Sequence, residues 1–467
     1  MEQTYQQAVD SLRQEFRDCA DLHDQEVLVG ENRMAVICFK GLADRTVLSD
    51  TVLRPMLEVL GKGVFDGNFG AVLRNGTCSF PAELAQVSAG LLRGEVFVAV
   101  ENRNGRFFCL ANAFAGVSRT VSRPETDVTL RGPMLGFVED TDKSMVMLRQ
   151  YLRTGDLKFV SLFLGNVTHT RVTVAYLQSR ADMAFVEGLK KKLASLEAET
   201  VMDSGYVELL LQGKRTPLFP TVGSTEKVDK AAAKLLAGRV AILVDGSPFV
   251  LTAPYVFAES LQSPEDYLQT PYYATAVRCL RMFALLVAVL LPGILVAFGD
   301  FHPELMPKAI LDNLHKSREG LPFPLFWECA VSLLIFELVR EVGVRMPRTV
   351  GDAVGIVASI ILGDAAVEAK LASTPVIMTV ALSAVCAFIV PSFMYATVLL
   401  RFVFLVSAGL FGLPGMALCA AAALCLLAAK ESFGVAYLTP LSPIRRKGLQ
   451  DFLLALPKKI LGRREEL

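Results

Sequence analysis

The chain contains 467 residues, of which 52% are apolar and 20% are charged, and 47 basic residues balance 47 acidic residues at a formal net charge of zero. A mean hydropathy of +0.43 is high for a soluble protein, whereas the charged fraction is normal for one. Because the chain is neutral and shows no basic patch interleaved with aromatic residues, we exclude nucleic-acid binding.

The N-terminal segment, residues 1–29, is polar and predicts a helix. It contains neither the apolar core nor the cleavage site of a signal peptide, so we expect the large domain that follows to stay in the cytoplasm. The nine cysteines of the chain form no CxxC pair. We interpret them as small buried apolar side chains in a reducing compartment.

A strand-then-helix pattern occurs twice in the soluble part, at Met34–Asp44 and at Val172–Asp182. Each copy begins with an apolar run of strand type and ends at an aspartate. Asp44 and Asp182 fall at predicted helix starts. A carboxylate at this position accepts hydrogen bonds from free backbone N–H groups and interacts favourably with the helix dipole.

A second match lies further along each copy. A Leu-Leu-x-Gly segment precedes the apolar run 96–101 in one copy and 240–245 in the other. Glycine is typical of a helix end, and the apolar run after it is typical of a strand. We therefore predict two tandem α/β subdomains that arose by duplication, residues 30–118 and 168–278, joined by a helical linker at 119–167. The alternative, chance similarity between two ordinary α/β segments, stays open.

The soluble part carries no sequence signal of an enzyme. Neither GxxxxGK[ST] nor GxGxxG occurs, and the stretch at Gly61–Gly63 lacks the Walker spacing. The four histidines are scattered without ligand spacing, so we predict no metal centre and no cofactor. The acids of the soluble helices are typical of solvated faces. We expect that the protein is not an enzyme.

From Arg278 onward the chain changes to long apolar runs, which predict an α-helical multi-pass membrane domain at residues 279–430. The first run, Met282–Phe298, is uncharged and follows two arginines, as is typical of a transmembrane helix. Pro292 and Gly293 inside it require neighbouring helices to bind the backbone groups that proline leaves free. Four further runs follow, at 323–339, 350–367, 375–400 and 402–429.

The number of membrane crossings depends on the last run. Residues 430–467 carry eight basic residues against four acids, so we predict a basic cytoplasmic tail at 431–467 and an even number of crossings. Five runs do not meet that requirement. Either the run 402–429, interrupted at Gly412 and its neighbours, is a broken or re-entrant hairpin, or this region forms extra short spans with Arg401 at an interface. We therefore predict four to six spans.

The run from residue 350 to residue 368 is rich in small residues and contains acids. At 3.6 residues per turn, one stripe of it carries Val350, Val354, Val357, Ile361, Asp364 and Glu368. Intramembrane acids normally face a water-filled cavity or a partner cation. A ring of such helices would place an apolar constriction before a ring of acids, an arrangement that gates cations. The alternative is an ordinary bundle helix whose two acids lie at its interfacial end beside Lys370.

Two further acids lie on one face of the preceding apolar run. Glu328 and Glu337 are candidates to line the same cavity or to form a structural ion pair with Arg340.

Six segments of the sequence match motifs of a known family. They are Arg119–Gly132 with Gly136-Phe137, Asp203–Tyr206, Ala233–Pro248, Gln262–Tyr267, Arg318–Pro324 and Arg340–Pro347. On these segments the chain resembles the A subunit family of bacterial spore germinant receptors, over nearly its whole length.

The resemblance implies a membrane complex of A, B and C subunits in the spore inner membrane, with the N-terminal domain on the cytoplasmic side, which is the spore core. It implies that the B subunit is transporter-like and takes the germinant, and that the C subunit is a lipoprotein. The A subunit would form a homo-oligomeric, nutrient-gated cation channel that releases ions at the start of germination, lined by the 350–368 stripe. The alternatives are the SpoVA-operon paralogue, a channel that amplifies ion release, and a non-conducting membrane scaffold for a germination complex.

Overall fold

The computed structural model describes residues 4–63, 65–73, 78–113, 124, 127, 132–212, 218–345, 361, 363–442 and 452. The chain divides into two compact units. The N-terminal unit comprises the described residues of Met1–Thr216 and Val222–Pro254, and the C-terminal unit comprises those of Pro217–Thr221 and Tyr255–Gly462.

The first half of the N-terminal unit is built on a five-stranded antiparallel sheet of order β1-β2-β4-β5-β3. Its strands are β1 (Leu22–Val29), β2 (Asn32–Phe39), β3 (Cys78–Ser79), β4 (Glu95–Asn102) and β5 (Gly105–Asn112). Its helices are α1 (Tyr5–Glu15), α2 (Arg45–Val47), α3 (Arg54–Gly61), α4 (Phe69–Val72) and α5 (Leu84–Arg93), with a π-helical stretch at Leu48–Leu53. Alternate residues of β2 belong to two different apolar cores, so the sheet is covered on both faces.

The second half repeats this order of strands as β6-β7-β9-β10-β8, again with every pair antiparallel. The strands are β6 (Leu157–Leu164), β7 (Thr170–Leu177), β8 (Gly223–Thr225), β9 (Val240–Val244) and β10 (Val250–Ala253). The helices are α6 (Thr141–Tyr151), α7 (Met183–Ala194), α8 (Ser204–Gln212) and α9 (Val228–Leu236). Two antiparallel sheets of one topology therefore form the α/β N-terminal unit.

The aspartates at the two predicted helix starts do cap helices. Asp44 accepts hydrogen bonds from the N–H groups of Thr46 and Val47 at 2.7 and 3.1 Å. Asp182 accepts the equivalent bond from the N–H group of Ala184 at 2.9 Å. These bonds satisfy backbone donors that have no partner inside the helix.

Two strands lie in segments that the sequence predicted to be helical. β1 occupies the end of the 1–29 segment, and β6 occupies much of the 119–167 linker. β1 is an edge strand whose middle residues are exposed, so its sequence is polar and lacks the apolar run of a buried strand. The helical prediction was wrong at these strands and right for Tyr5–Glu15 and Thr141–Tyr151.

The boundary between the units also differs from the sequence boundary at residue 278. The N-terminal unit ends at Pro254. Residues from Tyr255 onward belong to the C-terminal unit because Phe257 packs against Phe393 and Tyr437 there.

The two sheets of the N-terminal unit are joined at a buried arginine. The N–H group of Ala20 donates to the carbonyl oxygen of Phe159 on β6 at 2.9 Å, and the N–H group of Phe159 donates to the backbone carbonyl oxygen of Asp18 at 3.0 Å. Beside this contact Arg149, fully buried, donates two hydrogen bonds to Asp21 at 2.7 and 3.0 Å. The segment that leads into β1 is thus bonded to the edge strand of the second sheet.

The C-terminal unit is helical. Its helices are α10 (Phe257–Ser260), α11 (Pro271–Val296), α12 (Lys308–Ser317), α13 (Leu325–Arg345), α14 (363–368), α15 (Thr374–Ala387) and α16 (Met394–Ala428), followed by a small hairpin of β11 (Glu431–Ser432) and β12 (Val435–Ala436). Two stretches of the described chain, Pro271–Phe301 and Pro391–Ala428, are long and apolar enough to cross a membrane, and Thr374–Ala387 is a shorter apolar helix. The run predicted at 323–339 forms part of α13, which carries several charged residues.

Helix α16 folds back on itself at Gly412, where the sequence predicted an interruption. Gly412 has φ of 61° and ψ of −143°, outside the helical region, and Pro414 follows it. A Cβ atom on Gly415 would lie 2.6 Å from the carbonyl oxygen of Ser407, whereas a straight helix would separate these residues by about 12 Å. The two arms are about 27 and 24 Å long, near the thickness of the hydrocarbon layer of a bilayer.

Two apolar cores mark opposite ends of this helix bundle. The proximal core contains the first half of α11, the residues just after α15 and both ends of α16, through Met282, Leu285, Val390, Ala396 and Leu427. The distal core contains the end of α11, the starts of α13 and α15, and the residues around Gly412, through Val296, Leu325, Val376, Ala408 and Met416. α11, α15 and each arm of α16 therefore run between the same two ends.

Candidate functional site

A proline in α11 leaves one carbonyl oxygen without a helical partner, and two other helices donate hydrogen bonds to it. Pro292 has no N–H group, so the carbonyl oxygen of Ala288 cannot accept the usual helical bond. The hydroxyl of Ser383 on α15 donates to this oxygen at 2.8 Å, and Nε of Arg401 on α16 donates to it at 2.9 Å. Neighbouring helices thus satisfy the freed backbone group, which agrees with the prediction for this proline.

Arg401 is fully buried and contacts three helices. Besides its bond to Ala288, its Nη2 donates to the carbonyl oxygen of Ser383 at 3.2 Å. Its Nη1 lies 3.6 Å from Oε1 of Glu337 on α13. One sequence alternative placed Arg401 at an interface, and the structure surrounds its side chain with α11, α13 and α15. An arginine inside an apolar run is itself the signal that could have identified it, because a charge there needs partners from other helices.

Glu337 also pairs within its own helix. Arg340 places Nη2 2.6 Å from Oε2 of Glu337, at a spacing of one helical turn. Glu337 thus lies between two guanidinium groups, one from α13 and one from α16. Its carboxylate and Arg401 link α13 to α11, α15 and α16.

Glu328 lies near the other end of α13 and has a separate set of partners. Its side chain is 0% exposed, and Oε1 accepts a hydrogen bond from Nε of Arg318 at 2.8 Å. Oε2 accepts two bonds from Ser373, one from the backbone N–H at 3.1 Å and one from the hydroxyl at 2.9 Å. Glu328 and Glu337 therefore do not line one cavity together. The partner Ser373 could not be inferred from sequence, because it lies far along the chain.

The arginine of the motif Arg318–Pro324 belongs to this cluster, since it donates to Glu328. Arg318 also donates to the carbonyl oxygen of Phe323 at 3.4 Å and lies 3.7 Å from Asp300 in the π-helical stretch Ala297–Phe301 that follows α11. One side chain thereby connects this stretch, the turn after α12 and the start of α13.

The acids of the predicted pore stripe have a different environment. Ile361, Asp364 and Glu368 are exposed, and neither acid forms an ion pair with any residue that the structure describes. Lys370, the alternative partner, instead has its Nζ beside Gly320, where an added Cβ atom would lie 2.7 Å away. Val350, Val354 and Val357 lie outside the described residues.

A third charged cluster lies at the start of α11. Asp266 accepts hydrogen bonds from Arg278 at 3.2 Å and from both terminal nitrogens of Arg281 at 2.7 and 2.9 Å. It also accepts a bond from the N–H group of Ser263 at 3.1 Å. The motif Gln262–Tyr267 thus supplies the carboxylate for the two arginines that precede the apolar part of α11.

Known proteins resemble this chain over most of its length. Spore germination protein KA of Bacillus subtilis (strain 168) is 31% identical over 453 residues, which cover 95% of this chain and 83% of that protein. YfkQ of the same organism, described as an uncharacterized membrane protein, is 31% identical and covers 96% of this chain and 88% of that protein. These relatives are spore germination and membrane proteins.

The crystal structure of the N-terminal domain of the A subunit of the Bacillus megaterium spore germinant receptor GerK3 matches with 25% sequence identity and a TM-score of 0.41, covering 53% of this chain and 94% of that chain.

The family described as Bacillus/Clostridium GerA spore germination protein matches residues 10–467. Because this match spans nearly the whole chain, the protein belongs to the GerA family of spore germination proteins.

Proposed function

We propose that this protein is the A subunit of a spore germinant receptor and that a ring of its copies conducts cations at the start of germination. The observation that carries the proposal is a contrast among the acids of the C-terminal unit. Glu328 and Glu337 on α13 are paired with arginines, whereas Asp364 and Glu368 of the stripe are exposed and form no ion pair among the described residues.

The free-energy cost of placing a charge in lipid limits what these exposed acids can face. An ionised carboxylate in contact with lipid is costly, so intramembrane acids face a water-filled space or a partner cation. In a ring of copies, the exposed face of α14 would line such a space, and its acids would favour the entry of cations. Family membership supports the assignment to germination.

We further propose six membrane passes. α11 and the first arm of α16 run from the proximal core to the distal core, whereas α15 and the second arm of α16 run back. α13 leaves the distal core at Leu325, and Ser373, which follows α14, lies at that same end beside Glu328. We count α13 and α14 as one pass each. Six passes give the even number that the basic tail requires.

This topology places both chain ends on one side of the membrane. Residues 430–467 carry eight basic residues against four acids, which supports the cytoplasmic side, the spore core. We propose the spore inner membrane as the location, and a transporter-like B subunit and a lipoprotein C subunit as partners, since the chain belongs to this family. The common topology of the two sheets supports their origin by duplication.

The test is potassium efflux from dormant spores in which Asp364→Asn and Glu368→Gln are combined. We expect germinant-triggered release to slow several-fold, because the conduction path loses its fixed negative charge. Asp312→Asn, an exposed acid on α12, is the matched control and should release potassium at the wild-type rate. Immunoblots of the spore membrane fraction normalise each rate to protein amount.

Wild-type release from the combined variant would overturn the conducting role and favour a scaffold whose helices only anchor the N-terminal unit. A slower rate that disappears after normalisation to protein amount would do the same.

A further inference from the structure

The C-terminal end of the segment that carries Asp364 and Glu368 is held by a buried carboxylate on another helix. Glu328 is one of the few fully buried acids of the described chain, and all three hydrogen bonds it accepts come from outside its own helix. Bonds to an ionised acceptor are shorter and stronger than bonds between neutral groups. We call Arg318, Glu328 and Ser373 the Glu328 anchor.

Ser373 bonds to Glu328 instead of capping its own helix with its side chain. It is the N-cap residue of α15, where a serine hydroxyl normally accepts a hydrogen bond from the first turn of the helix. Here the hydroxyl makes no such bond and donates to Glu328 instead. A residue that departs from its local preference indicates a position selected for a tertiary contact.

The turn between the acids and Ser373 is tightly bonded, so the two are mechanically connected. The N–H groups of Ala369 and Leu371 donate back into α14, each at 2.8 Å, to the carbonyl oxygens of Ala365 and Ala366. Lys370 adopts a left-handed conformation with φ of 53°, which ends the helix. A displacement of Glu368 must therefore displace Ser373 or break these bonds.

The loop that supplies Arg318 also contacts this turn directly. Gly320 has φ of +82°, and the Nζ of Lys370 lies where its Cβ atom would point. The motif Arg318–Pro324 therefore contacts the turn after α14 both through the anchor and through Lys370.

We infer that Glu328 is a positioning residue for the channel: through Ser373 it holds the segment with Asp364 and Glu368 in the non-conducting arrangement. This inference rests on the proposed conducting function. A germinant-gated channel must be closed by default, so the arrangement that the chain's own contacts favour is the closed one. Movement of the segment has to break the anchor, and germinant has to supply the free energy for that step.

The primary test is potassium release from spores that carry Glu328→Gln, which keeps the size of the side chain and removes its charge. We expect release without germinant to rise on the order of tenfold, as for loss of one charge-assisted hydrogen bond. The germinant concentration for half-maximal release should fall. Glu319→Gln, an exposed acid of the same loop, makes the same chemical change and should leave both quantities unchanged.

Ser373 provides a milder pair of variants. Ser373→Ala removes the hydroxyl bond and keeps the backbone N–H bond, so it should increase release without germinant by a smaller factor. Ser373→Thr keeps a hydroxyl and should restore the wild-type rate. Because both residues act through one contact, the double variant Glu328→Gln with Ser373→Ala should leak no faster than Glu328→Gln alone.

The outcomes separate a positioning role from a merely structural one. A structural role lowers protein amount and reduces basal and triggered release together, whereas the anchor changes their ratio. Glu328→Gln spores that retain potassium like the wild type, or that need more germinant, would overturn the anchor. If Glu328→Gln spores give such a result while the Asp364→Asn, Glu368→Gln variant still shows slowed release, the inference about the anchor is wrong and the proposed conducting function stands. If neither variant affects release, the proposed function fails with it.

Discussion

Two fully buried arginines, one from each unit of this protein, are neutralised in different ways. Arg149 of the N-terminal unit donates two hydrogen bonds to Asp21, at 2.7 and 3.0 Å, and lies against the rings of Phe39 and Phe159. Arg401 of the C-terminal unit binds two helix carbonyl oxygens, and its nearest carboxylate, Glu337, lies at 3.6 Å.

The difference shows what each unit requires of a buried charge. Arg149 makes a bidentate carboxylate pair, the strongest arrangement available to a guanidinium, and it joins two sheets into one body. Arg401 instead compensates for a backbone defect at Pro292 and shares its carboxylate with Arg340. We therefore expect the N-terminal unit to depend strongly on one pair, and the C-terminal bundle to depend weakly on several bonds.

Asp21→Ala should give the largest effect. It leaves the guanidinium of Arg149 buried without its carboxylate, which typically costs about 3–5 kcal/mol. We expect the backbone amides of β6 to exchange with deuterium roughly two to three and a half orders of magnitude faster than in the wild type. The measurement is hydrogen exchange by mass spectrometry on the detergent-solubilised chain.

Asp24→Ala is the matched control for this prediction. Asp24 pairs with Arg13 at 2.6 Å, and both side chains are partly exposed, so its loss should cost no more than about 1 kcal/mol. Equal exchange rates in the two variants would show that Arg149 does not depend on Asp21.

Arg401→Met should have a smaller effect on the C-terminal unit. The carbonyl oxygen of Ala288 keeps the hydroxyl of Ser383, and Glu337 keeps Arg340, so we expect a loss of about 1–3 kcal/mol. The only tryptophan of the chain, Trp327 on α13, reports on this unit, so thermal unfolding followed by its fluorescence measures the change. Arg345→Met, which removes an exposed pair with Glu341, should leave the midpoint unchanged. A fall of the same size in both variants would contradict the comparison.

Local features of both units could be predicted from sequence. The caps at Asp44 and Asp182 and the interruption at Gly412 depend on hydrogen bonds and backbone angles within a few residues. The freed carbonyl oxygen at Pro292 was also predictable, because proline always lacks the donor. The edge strand β1 was missed because its sequence is polar and its middle residues are exposed. The strand β6 was missed although six of its eight residues are apolar.

The partners of the buried charges could not be predicted. Asp21 and Arg149 lie far apart in sequence, as do Glu328 and Ser373, and their pairing follows from how the elements pack. The sequence indicated Arg340 as the basic partner, and the structure pairs Arg340 with Glu337 and brings Arg318 to Glu328. An acid or arginine within an apolar run indicates that a partner exists, and only the tertiary structure identifies it.

The carbonyl oxygen of Ala288 allows a further test of the expectation that the C-terminal bundle depends weakly on each of several hydrogen bonds. Ser383→Ala removes one of its two donors and should cost about 1 kcal/mol in the wild-type background. In a Pro292→Ala background the restored N–H group can bind the same oxygen, so Ser383→Ala should cost less there. Melting midpoints of the four proteins, followed by Trp327 fluorescence, form a double-mutant cycle. Additive effects would mean that the proline does not create the need for Ser383.

The smallest predicted effect concerns Glu208 of the N-terminal unit, an acid that has a neutral amide for a partner. Burial raises the pKa of Glu208, and the hydrogen bond that it accepts from Gln212 lowers the pKa by less. The ionised form is therefore disfavoured in the folded state. This penalty is absent at low pH, where the carboxyl is protonated in both states, and it develops as the pH rises above the ordinary glutamate pKa of about 4.3.

Glu208→Gln should thus stabilise α8 at pH 7, on the order of 0.5 kcal/mol, and should have no effect near pH 3. The ratio of variant to wild-type hydrogen-exchange rates in α8, taken at both pH values, measures this, with the exposed Glu197→Gln as control. A stabilisation of equal size at both pH values would show that the charge of Glu208 is not its cause.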